Sequence, residues 1–121
     1  MYANRVSLTG FLGKDAETKT TRNNAYFTVL SLATKRSWKD RETGERQSQT
    51  TWHRIIAWGK LGEYAANLIK GAHLQIEGEI RTREYMPAGG SKKSITEVRI
   101  LSLVKLDRAK KSENETQGAA A

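Results

Sequence analysis

Apolar positions along this chain recur mostly with the two-residue period of a strand, and once with the period of a helix. Val6, Leu8 and Leu12 alternate to one face near the start. Gly10 falls on that face, where a glycine marks a bend or a close backbone approach. Residues 14–24 are polar and read as a connection or a short ribbon ending in a turn. Residues 26–34, YFTVLSLAT, predict a second strand with apolar side chains on both faces, Phe27 and Val29 on one and Leu30 and Leu32 on the other. That suits a central strand. A polar excursion follows, KRSWKDRETGERQSQ, with Gly44 near its tip and Trp38 near its base. It is long for a hairpin connection, and long ordered loops are usually functional or mobile.

Residues 50–61, TTWHRIIAWGKL, predict the third strand. Alternation sends Trp52, Arg54, Ile56 and Trp58 to one face and Thr51, His53, Ile55 and Ala57 to the other. The helical stretch comes next: Leu61, Tyr64, Ala65, Leu68 and Ile69 form a stripe of helical period. Lys70 is expected in its last turn, with Gly71 as the stop. Residues 73–85 predict a fourth strand, with Leu74, Ile76, Gly78 and Ile80 on one face and Arg81, Arg83 and Tyr85 on the other. Residues 86–93, MPAGGSKK, read as a hairpin tip. The last strand, 94–107, is expected to put Val98, Ile100, Val104 and Leu106 on one side. From 108 to 121 the chain is polar, then small, without periodicity, and is expected to be a flexible tail.

Three strands, one helix and two strands predict an all-β fold with one short helix. The best fit is a five-stranded OB-fold barrel whose helix lies between strands three and four. One domain covers 1–107, followed by the 108–121 tail.

Composition narrows the chemistry. Lysine and arginine number 21 against 13 acidic residues, a net charge of +8, which favours a polyanionic partner. Between Lys35 and Lys60 there are seven basic residues and three acidic ones, and all three tryptophans lie there too. The absence of cysteine rules out disulfides and thiol nucleophiles. No run of residues approaches the ~20 apolar positions of a membrane span, and no secretory signal opens the chain. A soluble protein of the cytoplasm or nucleoid, or of an organelle, is expected.

The face bearing Trp52, Arg54 and Trp58 is the most informative feature. A buried face rarely takes an arginine without a partner, and a solvated one rarely takes two tryptophans. Flat rings beside cations suit an unpaired nucleotide strand, whose bases stack while its phosphates meet charge. The two indoles stand roughly 20 Å apart along an extended strand, enough to take different bases. The competing reading makes both indoles core residues; Arg54 between them argues against it. Trp38 could equally anchor the long excursion, and Tyr85 could pack beneath the 86–93 hairpin. His53 and His73 have no cysteine or histidine neighbour and predict no metal site. Glu77 and Glu79 have no nucleophile beside them, so no catalysis and no cofactor are expected.

The stretches NRVSLTGFLGKD, LSLATKRSWKDRETGE, TTWHRIIAWGKL, LIKG and LQIEGEIRTREY closely resemble the bacterial-type single-stranded DNA-binding protein family, in order and at family spacing. The resemblance implies base stacking by Trp38, Trp52, Trp58 and Tyr85. It also implies phosphate contacts by Arg54, Lys60, Lys70, Arg81 and Arg83, to which the basic stretch adds Lys35 and Arg36. It further implies a homotetramer with His53 at the subunit interface, acting on single-stranded DNA in replication, recombination and repair. Trp58 stands where the family commonly has phenylalanine, Tyr85 where it often has tryptophan, and Glu84 where a basic residue is common. The acidic, phenylalanine-terminated tip by which bacterial members recruit replication and repair proteins has no counterpart here, so that role is not carried over. Two alternatives stay open: a dimeric OB-fold accessory protein of replication restart or recombination, and an RNA-binding OB module.

Overall fold

The computed structural model describes residues 1–107, so the tail expected at 108–121 lies outside the described residues. The elements follow in the order β1 (Val6–Leu12), β2 (Glu17–Thr20), β3 (Tyr26–Lys39), β4 (Arg46–Trp58), α1 (Gly59–Ala65), β5 (His73–Tyr85) and β6 (Lys93–Lys105). Strands hydrogen-bond in the order β1-β5-β6-β4-β3, and β1 also pairs with β3. The sheet therefore closes on itself as a five-stranded barrel, with α1 between the third and fourth barrel strands, as an OB-fold requires. The closing seam is short, Phe11 opposite Ala33 and Leu12 opposite Leu32. β4 and β6 meet in parallel at Ile55–Val98 and Ile56–Arg99, while the other pairs are antiparallel.

Alternation builds the core. Leu12, Leu30, Leu32, Ile55, Ala57, Leu74, Ile76, Val98 and Ile100 are buried inside the barrel. Each large aliphatic side chain so placed contributes about 1.5–3 kcal/mol. Ala65, Leu68 and Ala72, from the helix and the turn after it, close one end. The buried Thr28 hydroxyl donates to the Gly62 carbonyl at 2.7 Å and ties α1 to β3. Gly78 makes a close approach, since a Cβ there would overlap the Arg99 carbonyl oxygen of β6. Gly10 makes the close approach expected of it, against the Ala33 carbonyl.

Three expectations need correction. The polar excursion is not a loop. β3 continues to Lys39 and β4 starts at Arg46, so the two strands form one long ribbon capped by a tight turn. Asp40 makes that turn by accepting the N–H groups of Glu42 and Thr43. Ladder hydrogen bonds need no apolar side chains, so hydropathy does not reveal this half of the ribbon.

Of the two readings of residues 14–24 the short ribbon holds: Glu17–Thr20 form β2, paired antiparallel to β3 outside the barrel through a turn at residues 21–25. The helix is shorter than its stripe. It ends at Ala65, Ile69 is exposed, and Lys70 and Gly71 lie in a later turn that packs beside the end of β1. There the Lys70 N–H donates to Asp15 and the Gly71 N–H to the Leu12 carbonyl.

Finally, β6 carries a bulge. Glu77 faces Ser102 but Gly78 faces Ile100, so Leu101 is the extra residue. One inserted residue reverses the alternation beyond it. Leu103 therefore packs on the core, whereas Val104 and Leu106 turn outward. Ile80 shares the parity of Leu74 and Ile76 but is half exposed, its backbone held by Asn4 through two hydrogen bonds.

Candidate nucleic-acid interface

The barrel's outer face is built by the residues that alternation turns away from the core. In the β3–β4 ribbon the outward pairs are Phe27 with Trp58, Val29 with Ile56, Ser31 with Arg54, Ala33 with Trp52 and Lys35 with Thr50. On the neighbouring pair, Glu79 faces Arg99, Arg81 faces Glu97, Arg83 faces Ile95 and Tyr85 faces Lys93. Because Ile56 and Arg99 are also partners, the two sets form one continuous surface. Trp52, Trp58 and Tyr85 stand on it with 59, 37 and 41 % of their surface exposed. These rings are not core residues.

A cleft along this surface is lined by Phe27, Ile56, Trp58, Arg81, Arg83 and Glu97 among others. Phe27 supports Trp58 from the adjacent strand, ring centroids 4.8 Å apart and planes tilted by 33°. One indole face is thus braced by protein, an arrangement that lowers the cost of ordering the ring for a ligand. Trp52 is braced differently. Its six-membered ring lies directly over Gly13, where any Cβ would collide with it.

The charges are organised around a carboxylate that the sequence reading did not single out. Glu97, 7 % exposed, accepts Arg54 Nε at 2.7 Å on Oε2. It also accepts Arg83 Nε at 3.2 Å on Oε1 and the second Arg83 nitrogen at 3.3 Å on Oε2. Burial alone pushes this carboxyl up; the hydrogen bonds and charges of Arg83 and Arg54 outweigh burial and hold its pKa below the ordinary range. Arg54 is therefore not a bare cation between two indoles. It is anchored through Nε, and its terminal nitrogens have no bonded partner among the described residues. Two guanidiniums sharing one carboxylate leave the group a net positive charge.

The other expected phosphate contacts are dispersed. Lys35 lies near Trp52, and Arg81 faces the Trp58 cleft with Glu79 at 3.8 Å. Lys60 is exposed in the first turn of α1. Lys70 sits beyond the helix beside the β1–β2 connection. Trp38 is not on the tryptophan face: paired with Gln47, it projects from the opposite side of the ribbon. There it lies under Arg36, whose guanidinium carbon is 5.5 Å from the ring centre. His53 shares that opposite side, as its parity requires, half-buried with Nε2 2.8 Å from the Thr34 hydroxyl. Among the described residues no group of three or more His, Asp or Glu is placed to hold a metal ion. No helix among them is long and apolar enough to cross a membrane.

Glu97, Phe27 and Arg99 are members of this surface that the strand pattern did not flag as functional. A lone acid at an outward strand position, as in TEVRI, carries little signal without knowledge of which arginines lie across the sheet.

Comparison with known proteins agrees with the geometry. The single-strand binding protein family model matches residues 3–106. Among solved structures, the SSB of Plasmodium falciparum in complex with single-stranded DNA superimposes with a TM-score of 0.77 at 29 % identity, over 88 % of this chain and 97 % of that one. A deletion variant of the single-stranded DNA-binding protein of Thermus aquaticus gives a TM-score of 0.73 at 26 % identity, over 87 % of this chain and 51 % of that one. The match spans nearly all of the described barrel, and the chain belongs to the single-strand binding protein family.

Proposed function

We propose that this protein binds single-stranded DNA with little regard for sequence and shields it during replication, recombination and repair. The observation that carries the reading is the meeting, on one outer face, of exposed Trp52, Trp58 and Tyr85 with Arg54, Arg81, Arg83 and Lys35. Bases stack on the rings, each stack contributing about 1–3 kcal/mol in proteins of this type, and every base offers a π-face. Phosphates meet the cations and release counterions. Duplex DNA hides its base faces, so selection for single strands follows from geometry.

Trp38 and Arg36 extend the path around the β3–β4 ribbon, and Lys60 and Lys70 add phosphate contacts at the helix end of the barrel. The chain acts as a homotetramer with His53 at a subunit contact, has no catalytic role and works in the cytoplasm or nucleoid. The similarity to an SSB solved with single-stranded DNA supports the choice of ligand. Competition among poly(dT), duplex DNA and RNA of equal length tests it. Poly(dT) should displace a labelled oligo(dT) at concentrations where duplex does not. Clear preference for RNA or duplex would overturn the reading.

A further inference from the structure

A second cleft opens beside Trp52, apart from the one at Trp58, and its walls come from four strands in one transverse row. His73 of β5 is opposite Phe11 of β1, Phe11 is opposite Ala33 of β3, and Ala33 is opposite Trp52 of β4. The Phe11 and His73 rings are stacked, centroids 4.2 Å apart and planes within 8° of parallel. Phe11 still leaves 52 % of its surface in water. Phe11 and Trp52 spring from strands two apart, about 10 Å at the backbone. Between them the floor is Ala33, whose side chain is a single methyl group. Lys35, two residues along β3 and on the same face as Ala33, supplies a cation at the rim.

We infer that this cleft is a subsite for one unpaired nucleobase, seated against the Phe11–His73 stack and the Trp52 indole, with Lys35 meeting its phosphate. The inference rests on the single-strand-binding reading and adds Phe11 and His73 to it. Stacking uses the π-face that every base offers, so the subsite accepts any base. Stacking on Phe11 neutralises no phosphate, so its loss lowers affinity without changing the number of counterions released.

The test uses a Trp38→Phe/Trp58→Phe background, in which Trp52 is the remaining tryptophan of the three. Its emission is followed during oligo(dT) titrations at several salt concentrations. Phe11→Ala should weaken binding roughly five- to 150-fold, the range of one lost base stack. It should also shrink the quenching of Trp52 and leave the salt slope unchanged, while Phe11→Tyr, which keeps a ring, should restore both. Unchanged affinity and quenching in Phe11→Ala, in a background that still binds, would overturn the subsite alone. So would a loss accounted for entirely by a fall in oligomer mass, measured by light scattering on the same samples, since the row would then be a contact between copies of the chain. Absence of any oligo(dT) binding by the unsubstituted protein would overturn the single-strand reading itself.

Discussion

Arg54 and Glu97, 43 residues apart in the chain, are joined by a 2.7 Å hydrogen bond between strands that neighbour each other in the barrel. The carboxylate is nearly buried, whereas the Arg54 side chain keeps 32 % of its surface in water and Arg83, the second guanidinium on the same acid, keeps 53 %. Glu97 thus lets two like charges stand side by side on the outer face that carries Trp52 and Trp58, and holds Arg54 by its Nε.

Replacing Glu97 by Gln leaves those guanidiniums with a neutral partner. A fully buried pair broken this way costs about 3–5 kcal/mol. Partial exposure of both arginines screens the interaction here, so Glu97→Gln should cost about 1–2 kcal/mol. Denaturant titration at neutral pH measures it, and a loss indistinguishable from zero would mean the pair is only a surface contact.

The same carboxyl gives a pH dependence of definite sign. Its folded pKa is held below the ordinary value, so the unfolded chain takes up the proton more readily. The stabilisation is complete above the unfolded pKa and is lost as pH falls through the folded one. Melts of the native protein and of Glu97→Gln should therefore differ most near neutrality and converge on acidification. A gap that stayed constant down to the acid limb would contradict the assignment.

Trp58→Ala should weaken oligo(dT) binding by about 1–3 kcal/mol, the worth of one base stack, and remove much of the tryptophan quenching. Phe27 braces this ring but does not cover it, so the fold should survive. Unchanged affinity would show that no base reaches Trp58.

Gly13→Ala probes Trp52 without altering it. The new Cβ would meet the indole ring, which must swing away. Binding should weaken by about 1 kcal/mol, the low end for one stack, with circular dichroism unchanged. Equal affinity would mean that the ring's resting position over Gly13 is unimportant for the complex.

His53→Tyr should lower oligomer stability before it alters any DNA contact, because it removes the Thr34 hydrogen bond and enlarges a half-buried position on the face away from Trp52 and Trp58. Sedimentation across a dilution series measures this. A mass independent of concentration in the variant would count against an interface role.

The barrel was legible because it rests on alternation: Ile55 falls inside with Ala57 and Leu74 with Ile76, while β3, apolar on both faces, left open which side Leu30 and Leu32 would take. The outward setting of Trp52, Arg54 and Trp58 followed from the same rule. What escaped depended on pairing between distant segments. The Leu101 bulge, which turns Val104 outward, exists only in relation to β5. The ribbon beyond Thr34 is held by backbone ladders that hydropathy does not register. Arg54 finds Glu97, and Phe11 finds His73 and a cleft shared with Trp52, through strand order, and strand order is not written in local spacing. Trp38 shares a stretch of sequence with the other indoles, yet one residue of parity puts it on the opposite side.

The central claim is that these exposed rings and neighbouring cations receive an unpaired strand. Titrating the intrinsic tryptophan emission with poly(dT) over a range of salt concentrations tests it most directly. The expected result is strong saturable quenching, with log affinity falling linearly with log salt by about 0.7 per phosphate neutralised. Saturable binding that left the emission untouched would place the DNA elsewhere on the barrel, and no binding at all would remove the function.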